Sequence, residues 1–354
     1  SLQQSAADVR QLSFNMLAQG IGAEQLTQFI SALNDALTRR VIQLNLENHD
    51  FAGIDWAWLA FGSEGRDEQT FSTDQDNGSV FDCADATLVD GLRQRLLAFA
   101  LEVNKDLDRC GFPLCKGNIM ASNPQWCLSL KEWKDQFSNW VRVPQPEALL
   151  NASIFFDFRS LFGKAELAEQ MRRHLLAQAG GNALFLQAMA RNALTVSPPL
   201  GKIRDFVTDL EPEHPGKIDL KKYGSRIFVD VARIYALATG VHNTNSVQRM
   251  RQIGKRLAIR DEEIEAILEG LDFIQLLRLR HQYLEGEPGR QGDNLIDPDS
   301  LNELDRRILK ESFRQARKIQ SRLKLDYQVH RWRSGSRVSV SRVAPERRQI
   351  CLKM

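Results

Sequence analysis

Apolar residues in the first half of the chain change from helical spacing to a short continuous run and back again. Between positions 5 and 48 they recur every three or four residues, which predicts helices. Residues 56–61 are almost all apolar and Gly62 follows them, which predicts a buried strand that ends in a turn. Helical spacing returns over 85–109 and over 129–143. This order predicts a mixed sheet packed against helices.

The second half of the chain is predicted to be almost entirely helical. Helical spacing covers 164–193 with a break at Gly180 and Gly181, then 225–239, 246–257, 261–283 and a last helix that reaches about Tyr327. Asp299 and Ser300 are expected to cap that last helix. Several helices joined by short polar loops are typical of a helical bundle.

We therefore predict an α+β chain in four parts. These are an N-terminal helical segment over 1–50, a domain with a mixed sheet over 51–163, a helical bundle over 164–328, and a basic tail over 329–354. The tail is rich in arginine and serine, which favours disorder. A docked strand over 337–343, where apolar and polar residues alternate, is the alternative.

Composition and charge exclude several classes of protein. The chain has 354 residues, of which 43% are hydrophobic and 26% charged, as is typical of soluble globular proteins. A net charge of +2 and the lack of a basic patch with interleaved aromatic residues argue against a nucleic-acid partner. No apolar run approaches the ~20 residues that span a membrane. Five scattered cysteines without a CxxC pair argue against structural zinc and a disulfide framework, and favour the cytoplasm.

The polar stretch after the first predicted strand carries candidate chemistry. Gly62 lets the backbone approach a ligand closely, and Ser63 adds a hydroxyl and an amide donor, so this turn predicts a contact with phosphate. Arg66 has the fork geometry for a bidentate contact with phosphate. Asp74 and Asp76 are two residues apart at the start of the second predicted strand, so their side chains project together. Two such carboxylates favour a bound cation, and Mg²⁺ prefers oxygen ligands of this kind.

The string GSEGRDEQTFSTDQD resembles the signature of the nucleotidyltransferase fold that is shared with DNA polymerase beta. It is most similar to the uridylyltransferase-like branch, and within it to nucleotidyltransferases that often follow CBS or cyclic-nucleotide-binding domains in bacterial signalling proteins. One departure is Gln75, because the residue between the aspartates is usually apolar in that superfamily. The departure weakens the strand prediction there but removes neither carboxylate. The strings IDLKKYG at 218–224, VARIYALATG at 231–240 and LRLRHQ at 277–282 resemble the helical substrate-binding domain of the same family.

The resemblance implies transfer of a nucleoside monophosphate from a nucleoside triphosphate, ATP or UTP, to an acceptor hydroxyl, with release of pyrophosphate. The cofactor would be Mg²⁺, or Mn²⁺, and the acceptor a protein or a small molecule. The implied catalytic residues and metal ligands are Asp74, Asp76 and Asp157. The implied nucleotide contacts are Gly62, Ser63, Arg66, Lys116, Lys222, Arg280 and His281, with Lys221 and Arg233 as further candidates on the bundle. For the basic residues the alternative is an ordinary solvated side chain.

Asp157 lies in an apolar stretch, 149–162, that predicts a strand. On such a strand Phe155, Asp157 and Arg159 share one face. A buried acid is costly without a partner. We expect it to be the third carboxylate of the metal site, which the superfamily carries on a neighbouring strand, and an ion pair with Arg159 is the alternative.

Two other functional hypotheses remain open from the sequence. The first is a regulatory module that senses a nucleotide without turnover. The chain begins at Ser1 rather than at a methionine, so we expect it to be an excised or processed part of a longer protein. The resemblance implies that a CBS or cyclic-nucleotide-binding domain would be its neighbour there. The second is a helical scaffold with a relic catalytic domain, which predicts no metal-dependent binding of nucleotide.

Overall fold

Two helices precede the sheet in the computed structural model, which describes residues 2–201, 205–208, 210, 212–285 and 292–329. Helix α1 covers Leu2–Ala18 and helix α2 covers Ala23–Leu46. Between them Gly20 adopts a φ of 81°, in the left-handed region that favours glycine. These helices confirm the helical prediction for this part of the chain.

Four strands form one mixed sheet: β1 (Trp56–Ala60), β2 (Asn77–Phe81), β3 (Cys127–Ser129) and β4 (Arg159–Gly163). Their order is β3-β2-β1-β4, with β1 antiparallel to β2 and β4 and with β2 parallel to β3. Ala60 at the end of β1 pairs with Asn77 at the start of β2. The turn that follows β1 therefore lies beside the segment that leads into β2.

Helices cover both faces of the sheet, which explains the uninterrupted apolar run of β1. Trp56 and Trp58 pack with residues of α2 and of α4 (Val89–Arg109). Ala57 and Leu59 point to the other face and belong to the core that contains α5 (Leu130–Arg142) and α6 (Pro146–Phe155). Because successive side chains of a strand alternate between faces, all five residues of β1 are buried. The predicted α+β class is confirmed.

The rest of the described chain is a bundle of helices. They are α7 (Ala165–Gly180), α8 (Ala183–Ala193), α9 (Arg226–Thr239), α10 (Ser246–Arg256), α11 (Asp261–Glu285) and α12 (Glu303–Asp326). The two-residue strands β5 (Ile218–Asp219) and β6 (Leu295–Ile296) form a separate antiparallel pair. A π-helical segment, Lys221–Ser225, leads into α9. One apolar core continues from β1 and α5 into α9, α11 and α12, so the sheet and the bundle pack on each other.

Two predicted boundaries are wrong. The strand predicted at the start of 149–162 is α6 up to Phe155, and β4 begins only at Arg159. A continuous apolar run does not distinguish a buried helix from a buried strand, and Pro146 suits the first position of a helix. At the last helix, Asp299 and Ser300 belong to a separate 3₁₀ turn, and the cap of α12 is Asn302, whose side chain accepts a hydrogen bond from the Asp305 amide.

Three further predictions concern membrane-spanning helices, the basic tail and the division into parts. Across the described residues, every helix is too short or too polar to pass through a lipid bilayer. The predicted basic tail lies, apart from Val329, outside the described residues. The four-part division of the chain stays a prediction.

Candidate functional site

The turn after β1 is built around a glycine that faces a carboxylate. Gly62 opens the four-residue helix α3 (Gly62–Gly65) with a φ of 56°. A Cβ atom at this position would lie 3.2 Å from Oδ2 of Asp76. The amide of Phe61 donates a hydrogen bond of 2.9 Å to the carbonyl oxygen of Asp76. The positive φ of Gly62 and its close approach to Asp76 both favour glycine at this position. The hydrogen bond from Phe61 holds the turn against Asp76.

The segment that carries Asp74 and Asp76 is anchored by the residue between them. Strand β2 begins at Asn77, so the two carboxylates precede the strand rather than lie in it. Gln75 is buried, and its Nε2 atom donates to the carbonyl oxygens of Asn104, at 2.9 Å, and Phe112, at 2.8 Å. Its Oε1 atom accepts a hydrogen bond of 2.7 Å from Nδ2 of Asn104. The buried amide thus replaces the usual apolar residue without leaving a polar group unpaired.

Asp74 and Asp76 form an acidic pair, and the thiol of Cys115 lies beside it. One ligand atom from each of Asp74, Asp76 and Cys115 lies within 4.8 Å of the other two. The thiol of Cys115 donates to Oδ1 of Asp76 at 3.4 Å. Burial, together with the charge of Asp74, raises the pKa of Asp76 to about 7. No lysine, arginine or histidine in the described part of the chain makes a salt bridge with either carboxylate.

This donor set fits a divalent cation. Two neighbouring carboxylates without a salt-bridge partner are unfavourable alone, and a bound cation would offset their charge. Carboxylate oxygens suit Mg²⁺ and Mn²⁺, and a thiol within reach also suits softer metals. Asp74 and Asp76 would hold the ion, with Cys115 as a third donor.

Lys221, at the start of the π-helical segment, faces this acidic pair from the bundle. The charges of Asp74 and Asp76 favour its protonated form, but burial and the charge of Arg278 outweigh them and lower the pKa of Lys221. Its backbone amide donates to Oδ1 of Asp219 at 2.8 Å, which fixes the start of the segment. The structure therefore brings one of the basic residues implied by the resemblance to the acidic pair.

Asp157 lies in the connection between α6 and β4 and is completely buried. Its Oδ2 atom accepts hydrogen bonds from Arg66 at 2.9 Å and from Arg233 at 2.7 Å. Its Oδ1 atom accepts one of 2.6 Å from Arg249. Burial alone would raise the pKa of Asp157, but the charges of these arginines outweigh it and hold that pKa well below its usual range. We call these four residues the Asp157 cluster.

The structure gives Asp157 partners that the sequence did not indicate. Arg159 makes its salt bridges with Asp35, at 2.7 Å, and Asp67, at 2.9 Å, so the predicted pair between Asp157 and Arg159 is wrong. Among the described residues, the group that could hold a metal does not include Asp157. A role for Asp157 as a metal ligand stays a prediction, and it would require the carboxylate to leave at least one arginine.

Arg66 belongs to the Asp157 cluster and also contacts Glu68 in the polar stretch that follows α3. Its Nε atom donates to Oε2 of Glu68 at 2.8 Å. The other carboxylate oxygen of Glu68 accepts from the amide of Ser246, and the carbonyl oxygen of Arg66 accepts from Asn245 at 3.0 Å. The polar motif after α3 therefore docks onto the start of α10 and joins the sheet to the bundle.

The remaining predicted nucleotide contacts lie in different surroundings. Ser63 is partly exposed in α3, and Lys116 is exposed in the loop that carries Cys115. The ammonium of Lys222 lies 4.9 Å from the ring centre of Tyr223. Arg280 is exposed and lies 3.9 Å from Asp305 of α12, and the imidazole of His281 lies 2.7 Å from Asp293. Arg280 and His281 therefore contact Asp305 and Asp293 rather than the acidic pair.

Sequence reasoning missed Arg278, Cys115 and also Arg249 of the Asp157 cluster. Arg278 is buried on α11, four residues after Ile274 and seven after Leu271, both of which are buried. An arginine at a position of the apolar stripe was a signal that could have found it. Cys115 offered no comparable signal, because a lone cysteine in a loop has no ligand spacing.

Two family models match the chain. The model described as "Putative nucleotidyltransferase DUF294" matches residues 7–147, which contain the turn after β1 and the acidic pair. The model described as "Putative nucleotidyltransferase substrate binding domain" matches residues 183–327, which contain Lys221 and Arg278. No curated protein matches the chain.

Proposed function

Because the chain belongs to this putative nucleotidyltransferase family, we propose that it transfers a nucleoside monophosphate from a nucleoside triphosphate at the Asp74–Asp76 pair. The observation that carries the proposal is the acidic pair itself. Its two carboxylates are held together by the buried amide of Gln75, and they lie beside a glycine turn. No salt bridge within the described residues offsets their charge. Such an arrangement suits a cation and the phosphates that come with it.

Mg²⁺ or Mn²⁺ bound at the pair would stabilise the charge that develops on the phosphate oxygens during an in-line displacement. In that displacement the acceptor oxygen forms a bond to the α-phosphorus while the bond to the pyrophosphate oxygen breaks, and the hydroxyl proton passes to water. Asp74 and Asp76 would hold the ion. Gly62 has no side chain, which leaves room for phosphate beside Asp76, and Ser63 offers an amide and a hydroxyl.

We assign Asp157 a positioning role in this reaction. Both of its oxygens accept hydrogen bonds from arginines, and one of those arginines, Arg66, belongs to the motif beside the acidic pair. Asp157 thereby fixes Arg66, whose remaining donor capacity would meet the leaving phosphates.

The finer features of the reaction are also proposals. We propose ATP or UTP as the donor, as in adenylyl- and uridylyltransferases, and a hydroxyl of a protein or small molecule as the acceptor. The net charge of +2 supports an acceptor other than nucleic acid. A role in bacterial signal transduction, in the cytoplasm and next to a CBS or cyclic-nucleotide-binding domain, follows only from the resemblance.

A second candidate function is a nucleotide sensor without turnover. It is favoured by the Asp157 cluster, because three arginines engage the carboxylate that the resemblance implied as a third metal ligand. Two carboxylates suffice to bind a metal–nucleotide complex. Such a sensor predicts tight metal-dependent binding and no release of pyrophosphate with any acceptor.

The test combines calorimetry with a pyrophosphate assay. Each of the four ribonucleoside triphosphates is titrated with Mg²⁺ into the wild type and into the double variant Asp74→Ala/Asp76→Ala, and pyrophosphate is measured with lysate as a source of acceptors. We expect selective binding and pyrophosphate release, both lost in the double variant. Binding that the double variant loses, without pyrophosphate release, would favour the sensor. No binding to any triphosphate would contradict both functions.

A further inference from the structure

Arg278 is a buried cation whose hydrogen-bond partners are all neutral. It is 6% exposed. Its guanidinium donates to Oδ1 of Asn294 at 2.8 Å, to Oγ of Ser225 at 3.2 Å and to Oε1 of Gln275. No described carboxylate lies within salt-bridge distance of it. Burying a charge without a counter-charge is costly, so its location needs an explanation.

Two other cations lie within electrostatic reach of Arg278. Burial and the positive charge of Arg278 lower the pKa of Lys221, and the charges of Asp74, Asp76 and Asp219 act against them. Burial also lowers the pKa of Arg278; the charge of Arg66 acts in the same direction, whereas the charges of Asp219 and Glu68 oppose it. Like Arg278, Lys221 makes no salt bridge with any described carboxylate. These three cations come from three separate elements: the segment after α3, the π-helical segment and α11. Mutual repulsion within such a group is relieved when an anion binds between its members.

A chain of hydrogen bonds joins Arg278 to the segment that carries the acidic pair. The Nε2 atom of Gln282 donates to the same Asn294 oxygen as Arg278, at 2.9 Å. The Oε1 atom of Gln282 accepts a hydrogen bond of 3.2 Å from the amide of Ser72. Ser72 lies two residues before Asp74. Arg278 is therefore held on a framework that continues directly into the metal-binding segment.

We propose that Lys221 and Arg278 form the polyphosphate-binding half of the site and contact the phosphates of a nucleoside triphosphate whose metal lies at Asp74 and Asp76. This inference rests on the proposed function. A triphosphate carries more negative charge than one divalent ion offsets, so its outer phosphates need further cations. Lys221 supplies a point charge, and Arg278 supplies a planar fork that suits phosphate oxygens. The bundle would thus bind the donor nucleotide in addition to the acceptor.

The experiment uses inorganic tripolyphosphate with Mg²⁺ as the probe, because it carries the phosphates without base or sugar. Binding is measured by calorimetry for the wild type, Arg278→Gln and the control variant Arg307→Gln, which changes an exposed arginine of α12 that pairs with Glu303. We expect Arg278→Gln to weaken binding about 10- to 100-fold, as for the loss of charged hydrogen bonds. Arg307→Gln should bind as the wild type does.

Further variants keep the test decisive if Arg278→Gln does not fold. Lys221→Gln should also weaken binding about tenfold, since it removes one charge-assisted contact. Arg278→Lys keeps the charge but loses the fork, and its binding should lie between those of the wild type and Lys221→Gln. Wild-type affinity in the folded Arg278 and Lys221 variants would overturn the proposal, and so would a wild type that binds no tripolyphosphate.

The outcomes separate this inference from the proposed function. If the wild type releases pyrophosphate and the Arg278 and Lys221 variants keep its KM for nucleotide, transfer stands and this inference fails. If tripolyphosphate binding depends on Lys221 and Arg278 but no triphosphate is ever cleaved, this inference stands and the proposed transfer fails.

Discussion

Asp76 and Asp157 are both shielded carboxylates, yet their surroundings shift their pKa values in opposite directions. Burial and the nearby charge of Asp74 raise the pKa of Asp76 to about 7. Around Asp157 burial acts in the same sense, but the charges of three arginines overcome it and lower the pKa. The difference shows that the partners of a carboxylate, and not burial alone, decide its protonation and its use. A carboxylate that makes no salt bridge is suited to bind a cation. A carboxylate that is paired with arginines is suited to stabilise the fold.

The Asp157 cluster joins distant parts of the chain. Arg66 follows α3, whereas Arg233 lies on α9 and Arg249 on α10. Since removal of one partner leaves buried charges unmatched, we expect the cluster to act mainly on stability. The acidic pair, by contrast, should act mainly on metal binding and turnover.

The largest effect is expected for Asp76→Asn. It should reduce pyrophosphate release by about 10³-fold or more, because in the proposed function Asp76 is a ligand of the ion that would stabilise the transferring phosphate. It should not lower the thermal midpoint of unfolding in chelator, since it relieves repulsion with Asp74. The matched control is Asp82→Asn, which changes an exposed aspartate just beyond the other end of β2. Full activity in Asp76→Asn would show that the active site does not depend on the acidic pair.

Asp157→Asn should lower the free energy of unfolding by about 3–5 kcal/mol, the usual cost of breaking a buried ion pair. Urea denaturation at pH 7 in chelator would measure this loss. Where the variant remains folded, its affinity for Mn²⁺ should stay within a few-fold of the wild type. A variant of full stability that no longer binds metal would instead support Asp157 as a metal ligand.

Glu64, another buried carboxylate, lies in α3, the turn that follows β1. Burial raises its pKa to about 8. The unfolded chain releases this proton above about pH 4.5, whereas the folded protein keeps it up to about pH 8, so the contribution of Glu64 to stability falls across that window. Glu64→Gln should therefore stabilise the protein by roughly 3 kcal/mol at pH 7 and by little at pH 4. Equal effects at both pH values would show that Glu64 is ionised in the fold.

Gln75→Leu should give the smallest effect. It restores the apolar residue usual at this position but leaves Asn104 and the carbonyl oxygen of Phe112 without their partner, which costs about 2 kcal/mol. Denaturant unfolding would measure the loss, and metal affinity should weaken only a few-fold. Unchanged stability would mean that water replaces the amide.

Local patterns made part of this structure predictable. The run from Trp56 predicted β1, and the motif that follows indicated both the glycine turn and the proximity of Asp74 to Asp76. The surroundings of Asp157 could not be predicted in the same way, because its arginines lie 91, 76 and 92 residues away in the sequence. No spacing rule relates such positions. The thiol of Cys115 became apparent only once its loop was seen beside Asp76. For Arg278 the sequence offered one signal, its position in the apolar stripe of α11.

The most direct test of the contrast is a titration of Mn²⁺ in which the free ion is followed by electron paramagnetic resonance. The wild type, Asp76→Asn and Asp157→Asn are compared at a temperature where all three are folded, with and without a nucleoside triphosphate. We expect the wild type and Asp157→Asn to bind Mn²⁺ with similar affinity, and Asp76→Asn to bind at least about tenfold more weakly. Metal binding that survives in Asp76→Asn but is lost in Asp157→Asn would contradict the assignment of the acidic pair.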